Sequence, residues 1–273
     1  MPPTALVLAL AAAFVHAFWN LLLANARDPE AATAVALVAS VVLFAPVAAL
    51  AWDVDSRVWP FLAATAVFEL AYFALLGAAY RRAELSVVYP VARGLAPVLV
   101  LVVAAVALGA PTSATQAFGV CLVGLGILLV RGLRRPAEWT GVLFGLAIAG
   151  CIASYTLIDK DGIAYSTPLV YLELSMAPTA LAYTLAILVV KGRASVRREL
   201  NLASVSAGIA TFAAYALVLA ALERASAASV AAVRETSVLI ATALAGLVLK
   251  ERVGRVRLAG AGLVVGGIAL LAL

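Results

Sequence analysis

Residues 104–130 read AAVALGAPTSATQAFGVCLVGLGILLV, and residues 245–271 read AGLVLKERVGRVRLAGAGLVVGGIALL. A shift of 141 places Gly119 on Gly260 and Gly126 on Gly267. Each copy is the end of one apolar run, a short polar or basic stretch, and a glycine-spaced apolar run of about 18 residues or more. Such a run is long enough as a helix to cross a hydrocarbon core of roughly 30 Å. The chain therefore reads as a duplication of membrane-crossing helices.

Working outward, apolar runs of this kind recur along the whole sequence. Of 273 residues, 66% are hydrophobic and 12% charged, with a mean hydropathy of +1.12. A soluble surface cannot be built from that composition. We expect ten transmembrane helices, over residues 4–24, 31–52, 58–79, 85–108, 114–131, 138–158, 166–190, 202–222, 227–249 and 256–273. The runs are continuously apolar rather than alternating, which selects helices over a β-barrel. The first run has no Lys or Arg ahead of it, so it is not read as a signal peptide. The fold class is all-α membrane protein: ten helices in two five-helix repeats, residues 1–135 and 136–273. An odd number of crossings turns the second copy over, which makes the repeat inverted in topology. Earlier in each half the match is looser, yet Phe44-Ala45-Pro46 aligns with Met176-Ala177-Pro178. These prolines and Pro97 read equally as flexing points or as tolerated kinks.

Seventeen of the nineteen Lys and Arg sit at helix ends and in loops. The connections after helices 1, 3, 5, 7 and 9 hold fourteen: Arg27, Arg81, Arg82, Arg131, Arg134, Arg135, Lys191, Arg193, Arg197, Arg198, Lys250, Arg252, Arg255 and Arg257. The alternate connections hold Arg57, Lys160 and Arg224. By the positive-inside rule both termini lie on the outer side. The net charge of +5 thus describes topology, not a nucleic-acid partner. Sixteen Arg against three Lys hint at a GC-rich bacterial source, hence an inner membrane. The only cysteines, Cys121 and Cys151, fall inside spans and read as packing.

The two remaining arginines are intramembrane. Arg93 lies in VYPVARGLAPVLVL, residues 88–101, and the shift of 141 puts it on Arg234. Glu69, Glu173 and Glu235 also fall well inside spans, with His16 as a sixth ionisable group. Each charge at mid-bilayer costs roughly 3 kcal/mol on an insertion scale, so these groups face protein, water or one another. Three Glu against two Arg leave one carboxylate unmatched, suited to a proton or an ammonium group. Arg93 and Arg234 offer planar donor forks for an acid group; the alternative is a structural lock onto Glu235 or Glu69. Arg234 and Glu235 are consecutive, about 100° apart on a helix, so a salt bridge between them is not expected. Tyr89 shares the Arg93 stripe. Glu69, Tyr72, Phe73, Leu76 and Tyr80 form another, a carboxylate with aromatic walls. His16 and Asn20 share a face beside Trp19. Glu173 precedes Pro178, where a kink would move it between two exposures. The candidate binding residues are Arg93, Arg234, Glu69, Tyr72, Tyr89, Trp19 and Asn20. The candidate proton-coupling residues are Glu173, Glu235, Glu69 and His16. Gly141–Gly145 and Gly262–Gly266 each satisfy GxxxG, read as internal packing ahead of a homodimer contact. No GxxxxGK[ST] loop and no His/Cys cluster is present, so neither ATP, a cofactor nor a metal is expected.

The ending LVLKERVGRVRLAGAGLVVGGIALL, together with ten helices in two halves, resembles the drug/metabolite transporter superfamily, in particular its EamA-like members. The resemblance covers essentially the whole chain. Members typically carry a Gly-Glu pair after the fourth helix of a half; here Lys250-Glu251 stands in the second half and Gly109-Ala110 in the first. The stretch HAFWN, His16 to Asn20, is similar to the HAxWN pattern of a family subset. The resemblance implies a proton-coupled or facilitative carrier of small organic solutes, not an enzyme, often exporting amino acids or related metabolites. Against the zwitterion or anion carrier stand an exporter of lipophilic cations and a non-transporting membrane scaffold or enzyme.

Overall fold

The structure, a computed structural model, describes residues 1–83, 85–131, 139–240 and 255–272. Its first half contains α1 (Pro3–Ala24), α2 (Pro29–Leu50), α3 (Trp59–Arg82), α4 (Leu85–Val106) and α5 (Ala114–Arg131). The second contains α6 (Trp139–Gly162), α7 (Pro168–Lys191), a short α8 (Arg193–Arg198), α9 (Leu202–Leu222), α10 (Ala227–Arg234) and α11 (Arg255–Ala272). Seven of these helices are long and apolar enough to cross a membrane, and Ala114–Val130 and Leu258–Ala272 are shorter apolar helices. The ninth expected span, 227–249, is described only to residue 240, and Lys250 and Glu251 lie outside the described residues.

Helix starts follow local chemistry. The Asp28 carboxylate caps α2 through the Ala31 amide, with Pro29 in the first turn; Thr167 and Pro168 do the same for α7. Gly109, just past α4, has φ of 63°, the left-handed geometry that favours glycine.

Packing repeats as the sequence does. Helix α1 lies against α9 and α10, and its counterpart α6 lies against α3 and α4. Helix α2 packs on α9 as α7 packs on α3, while α2·α7, α4·α10 and α5·α11 pair each element with its own counterpart. The last pair fixes relative direction. A Cβ on Gly119 would stand 3.0 Å from the Gly267 carbonyl oxygen, and one on Gly126 would stand 2.6 Å from that of Gly260. Rising numbers on α5 meet falling numbers on α11, so the two helices are antiparallel, as an odd number of crossings per repeat requires.

Two expectations are corrected. The ninth span is not a continuous helix in its described part: α10 stops at Arg234, Glu235 forms a turn, and helix resumes over 236–240. The second GxxxG does not pack against the described residues: a Cβ on Gly262 or Gly266 would meet nothing of them within 4 Å. Gly141 and Gly145 do, against Val87 and Val91 of α4.

Candidate functional site

A cavity of about 130 Å³ lies where the midpoints of the long helices converge. Its wall includes His16 and Trp19 from α1, Glu69, Tyr72 and Phe73 from α3, Arg93 from α4, Tyr155 from α6, Thr179 from α7, Tyr215 from α9 and Arg234 from α10. Residues from both halves, far apart in sequence, thus supply one site near mid-span.

One end of the cavity is positive. Arg93 is 9% exposed and Arg234 4% exposed. Glu235, fully buried, extends Oε1 to within 3.2 Å of Arg93 Nη1 and 3.7 Å of Arg234 Nη2. The expectation that consecutive Arg234 and Glu235 would diverge is therefore wrong. The 100° rule holds inside a helix, and Glu235 sits in the turn that ends α10. The shift of 141 pairs Glu235 with Gly94, whose absent side chain lets α4 close on Gly124 of α5. One carboxylate therefore serves two arginines, and the cluster carries one formal positive charge in excess.

The arginines are not equally satisfied. Arg93 donates to Glu235 and, from Nη2, to His16 Nε2 at 2.8 Å. A guanidinium only donates, so His16 Nε2 must be the acceptor and His16 neutral in this arrangement. Arg234 has its ion-pair contact at 3.7 Å, beyond hydrogen-bond length, and its buried Nε has no hydrogen-bond partner among the described residues. Trp19, edge-on to His16 with centroids 4.8 Å apart, also keeps a buried Nε1–H without a partner among the described residues. Orphaned buried donors are uncommon in native proteins and point to a missing acceptor.

The other end is negative. Glu69 lines the cavity, and its Oε2 accepts from Thr179 Oγ1 at 2.9 Å. Behind it Asp159, fully buried at the end of α6, accepts from Thr65 Oγ1 at 2.6 Å, from Tyr171 Oη at 3.0 Å and from Tyr215 Oη. The side walls are aromatic: Tyr72 stands edge-on to Phe73 at 5.1 Å, and Tyr155 edge-on to Tyr215 at 6.1 Å.

Of the residues singled out in the sequence, Arg93, Arg234, Glu69, Tyr72, Trp19 and His16 line this cavity, with Glu235 immediately behind the arginines. Asn20, Tyr89 and Glu173 also stand outside the wall. Asn20 turns its amide to the His16 carbonyl at 2.8 Å, and Tyr89 lies outside the wall but within electrostatic range of Arg93. Glu173 is 8% exposed, away from the cavity, and its Oε2 has no hydrogen-bond partner among the described residues. The side chain of Tyr80 lies outside the described residues. Sequence reasoning missed Asp159 and Tyr215. The apolar run that marks the sixth span ends at residue 158, one short of the aspartate; Tyr155 and Asp159, four apart, are the available signal.

Outside the membrane, polar contacts tie the halves together. Lys191 bridges Asp28 at 2.6 Å and Glu30 at 2.5 Å, Ser195 Oγ donates to Asp28 at 2.8 Å, and the Asp28 amide donates to Glu199 at 3.0 Å. Partial burial raises the Asp28 pKa, but the hydrogen bonds from Lys191, Ser195 and the Ala31 amide, with the Lys191 charge, outweigh it and hold the carboxyl below its usual range. The repeat-related contact on the opposite side is a single antiparallel bridge, Val54 to Ser166, flanked by the Asp55 amide donating to the Tyr165 carbonyl at 2.9 Å.

The EamA-like transporter family matches residues 3–132 and again residues 139–273. No curated protein matches the chain in sequence. A solved structure described as "Crystal structure of protein" superposes with a TM-score of 0.78, covering 100% of this chain and 99% of that one at 16% identity, a likeness of fold alone. With both halves matched over nearly their full length, the chain belongs to the EamA-like transporter family: it is an integral membrane protein and a transporter of small solutes.

Proposed function

We propose that this family member is a secondary carrier of a small zwitterionic or anionic metabolite, an amino acid or close relative, working by alternating access between two inverted five-helix halves. The observation that carries the reading is the unequal satisfaction of the two arginines. Arg93 is held by His16 and Glu235, while Arg234, also buried, keeps an Nε with no partner among the described residues, as does the Nε1 of Trp19 on the same cavity wall. The acid group of the solute lands on Arg234 and Trp19. The excess charge of the arginine cluster is one, which a monoanionic carboxylate neutralises; a doubly charged phosphate overshoots. An amine, where present, meets Glu69 between the rings of Tyr72 and Tyr155. Arg93, first expected to share the clamp, is here the positioning residue. The protein resides in a bacterial inner membrane with both termini outside.

The test is thermal unfolding of the detergent-purified protein against a panel of amino acids, monocarboxylates, phosphonates and quaternary amines, since a ligand of the folded state raises the midpoint by mass action. The expected result is a shift with a zwitterion or monocarboxylate that vanishes in Arg234→Gln. A shift with quaternary amines alone, retained in Arg234→Gln and lost in Glu69→Gln, replaces this reading with export of lipophilic cations, which Glu69 and its aromatic walls also suit.

A further inference from the structure

Asp159 has a setting that neither solute recognition nor the arginine cluster explains. It is fully buried, with no cation in salt-bridge contact among the described residues, yet both its oxygens are hydrogen-bonded. Three hydroxyls from three other helices make those bonds: Thr65 of α3, Tyr171 of α7 and Tyr215 of α9. Thr65 Oγ1 and Tyr171 Oη also lie 3.2 Å from each other, where either is the donor. Buried charge without a counter-ion is costly, and a set of hydroxyls serves a carboxylate and a carboxylic acid alike, because a hydroxyl donates to the first and accepts from the second.

We propose that Asp159 is the proton-carrying group of the transport cycle and that Tyr215 reports its protonation to the cavity. The inference rests on the carrier reading above and adds the coupling site to it. Ionised Asp159 takes the Tyr215 O–H into its Oδ2, and the phenol presents only an acceptor lone pair to its other side. When a proton from water bonds to Oδ2, that oxygen becomes the donor and the Tyr215 oxygen its acceptor. The phenol hydrogen must then turn away, and Tyr215 lines the cavity. Only O–H bonds form and break, and the proton returns to water when Asp159 ionises again. Protonation thereby adds one hydrogen-bond donor to the solute site, the differential contact that ties proton and solute binding together. Thr65 and Tyr171 keep Oδ1 satisfied in both states.

Among the described residues, the charged groups around Asp159 include none in ion-pair contact with it. Helix α3 contributes Glu69, which is held by Thr179; α10 contributes Arg234, whose ion-pair contact is Glu235; α4 contributes Arg93, bound to Glu235 and His16. Helix α9 contributes Tyr215 and α7 Tyr171, with Glu173 outside the cavity. On α6 itself stand Tyr155, Asp161 and Lys160, whose ammonium donates to the Leu222 carbonyl.

The test needs no solute: infrared difference spectra of the protein in liposomes, stepped from about pH 9 to about pH 5, a range that spans the upward shifts buried carboxyls show. We expect a protonated-carboxyl C=O band to grow on acidification, to be absent in Asp159→Asn, to persist in Asp159→Glu and Glu69→Gln, and to change frequency in Tyr215→Phe, which removes its hydrogen-bond partner. A band that survives in Asp159→Asn, or one indifferent to Tyr215→Phe, overturns the proposal. Tyr215→Phe decides the matter even where Asp159→Asn fails to fold. An Asp159 band with no ligand in the panel sinks the solute assignment and leaves the proton site standing. Ligand shifts without such a band do the reverse.

Discussion

Replacing Arg93 and Arg234 by alanine, one at a time, removes the same side chain from repeat-equivalent positions, and the structure predicts unequal results. Glu235 Oε1 lies 3.2 Å from Arg93 and 3.7 Å from Arg234. With an effective dielectric of about 20, Coulomb's law gives gross attractions of about 5 and about 4.5 kcal/mol, close to each other. Hydrogen bonding separates the two arginines. Arg93→Ala removes two charge-assisted bonds, strands the His16 acceptor and leaves Glu235 with only the longer contact. Breaking a buried pair in this way costs about 3 to 5 kcal/mol. Arg234→Ala leaves the Arg93–Glu235–His16 chain whole and relieves repulsion between two guanidinium groups, so its cost is about 1 kcal/mol. Thermal unfolding in detergent, followed by tryptophan fluorescence, should show a large fall for Arg93→Ala and a small one for Arg234→Ala. Ligand stabilisation should follow the opposite order: the loss of a charge-assisted bond of about 1.5 to 3 kcal/mol weakens binding roughly 10- to 150-fold in Arg234→Ala. Equal destabilisation by the two substitutions, or ligand shifts retained in Arg234→Ala, refutes the division of labour between them.

Three further outcomes follow from the packing and the charges. Gly126→Val drives a side chain onto the Gly260 carbonyl, 2.6 Å from the new Cβ, and should cost at least about 1 to 3 kcal/mol, whereas Gly262→Val, with nothing within 4 Å, should stay within about 0.5 kcal/mol in detergent melts. The Asp28 contacts are pH-dependent. Because the folded carboxyl titrates below its unfolded value of about 4, its contribution is complete above that pH and is lost as pH falls through the lower folded value. Melting points recorded down an acid series should drop less steeply in Asp28→Asn than in wild type, from a lower start, and parallel curves would contradict the assignment. Single cysteines placed in the connection after α7 should react with an impermeant reagent only from the cytoplasmic side, and those after α2 only from the outer side; the opposite pattern inverts the topology.

Much of the site is legible in the residues alone. A charge inside an apolar run has few places to go, so hydropathy assigns Arg93, Arg234 and Glu69 to a common interior, and the 141-residue shift relates the two arginines. Their inequality is not legible there, because it depends on which helix brings a hydrogen-bond partner: His16 reaches Arg93 from α1, 77 residues away in sequence. Asp159 escapes for a related reason. Near the end of a span an aspartate reads as a loop residue, and only the approach of Thr65, Tyr171 and Tyr215 from three other helices makes it a buried carboxylate.

The amino-acid sequence by itself determined the membrane helices and the duplication. A bilayer offers the backbone no hydrogen-bond partner but its own, so composition over about 20 residues settles local structure without reference to the rest of the chain. What only the tertiary structure decided was the turn at Glu235, the outward placement of Gly262 and Gly266, and the sharing of one carboxylate between two arginines. Those depend on distances between helices that no local rule contains: within hydrocarbon any apolar face packs about as well as another, and the few polar contacts made across the bundle select the arrangement.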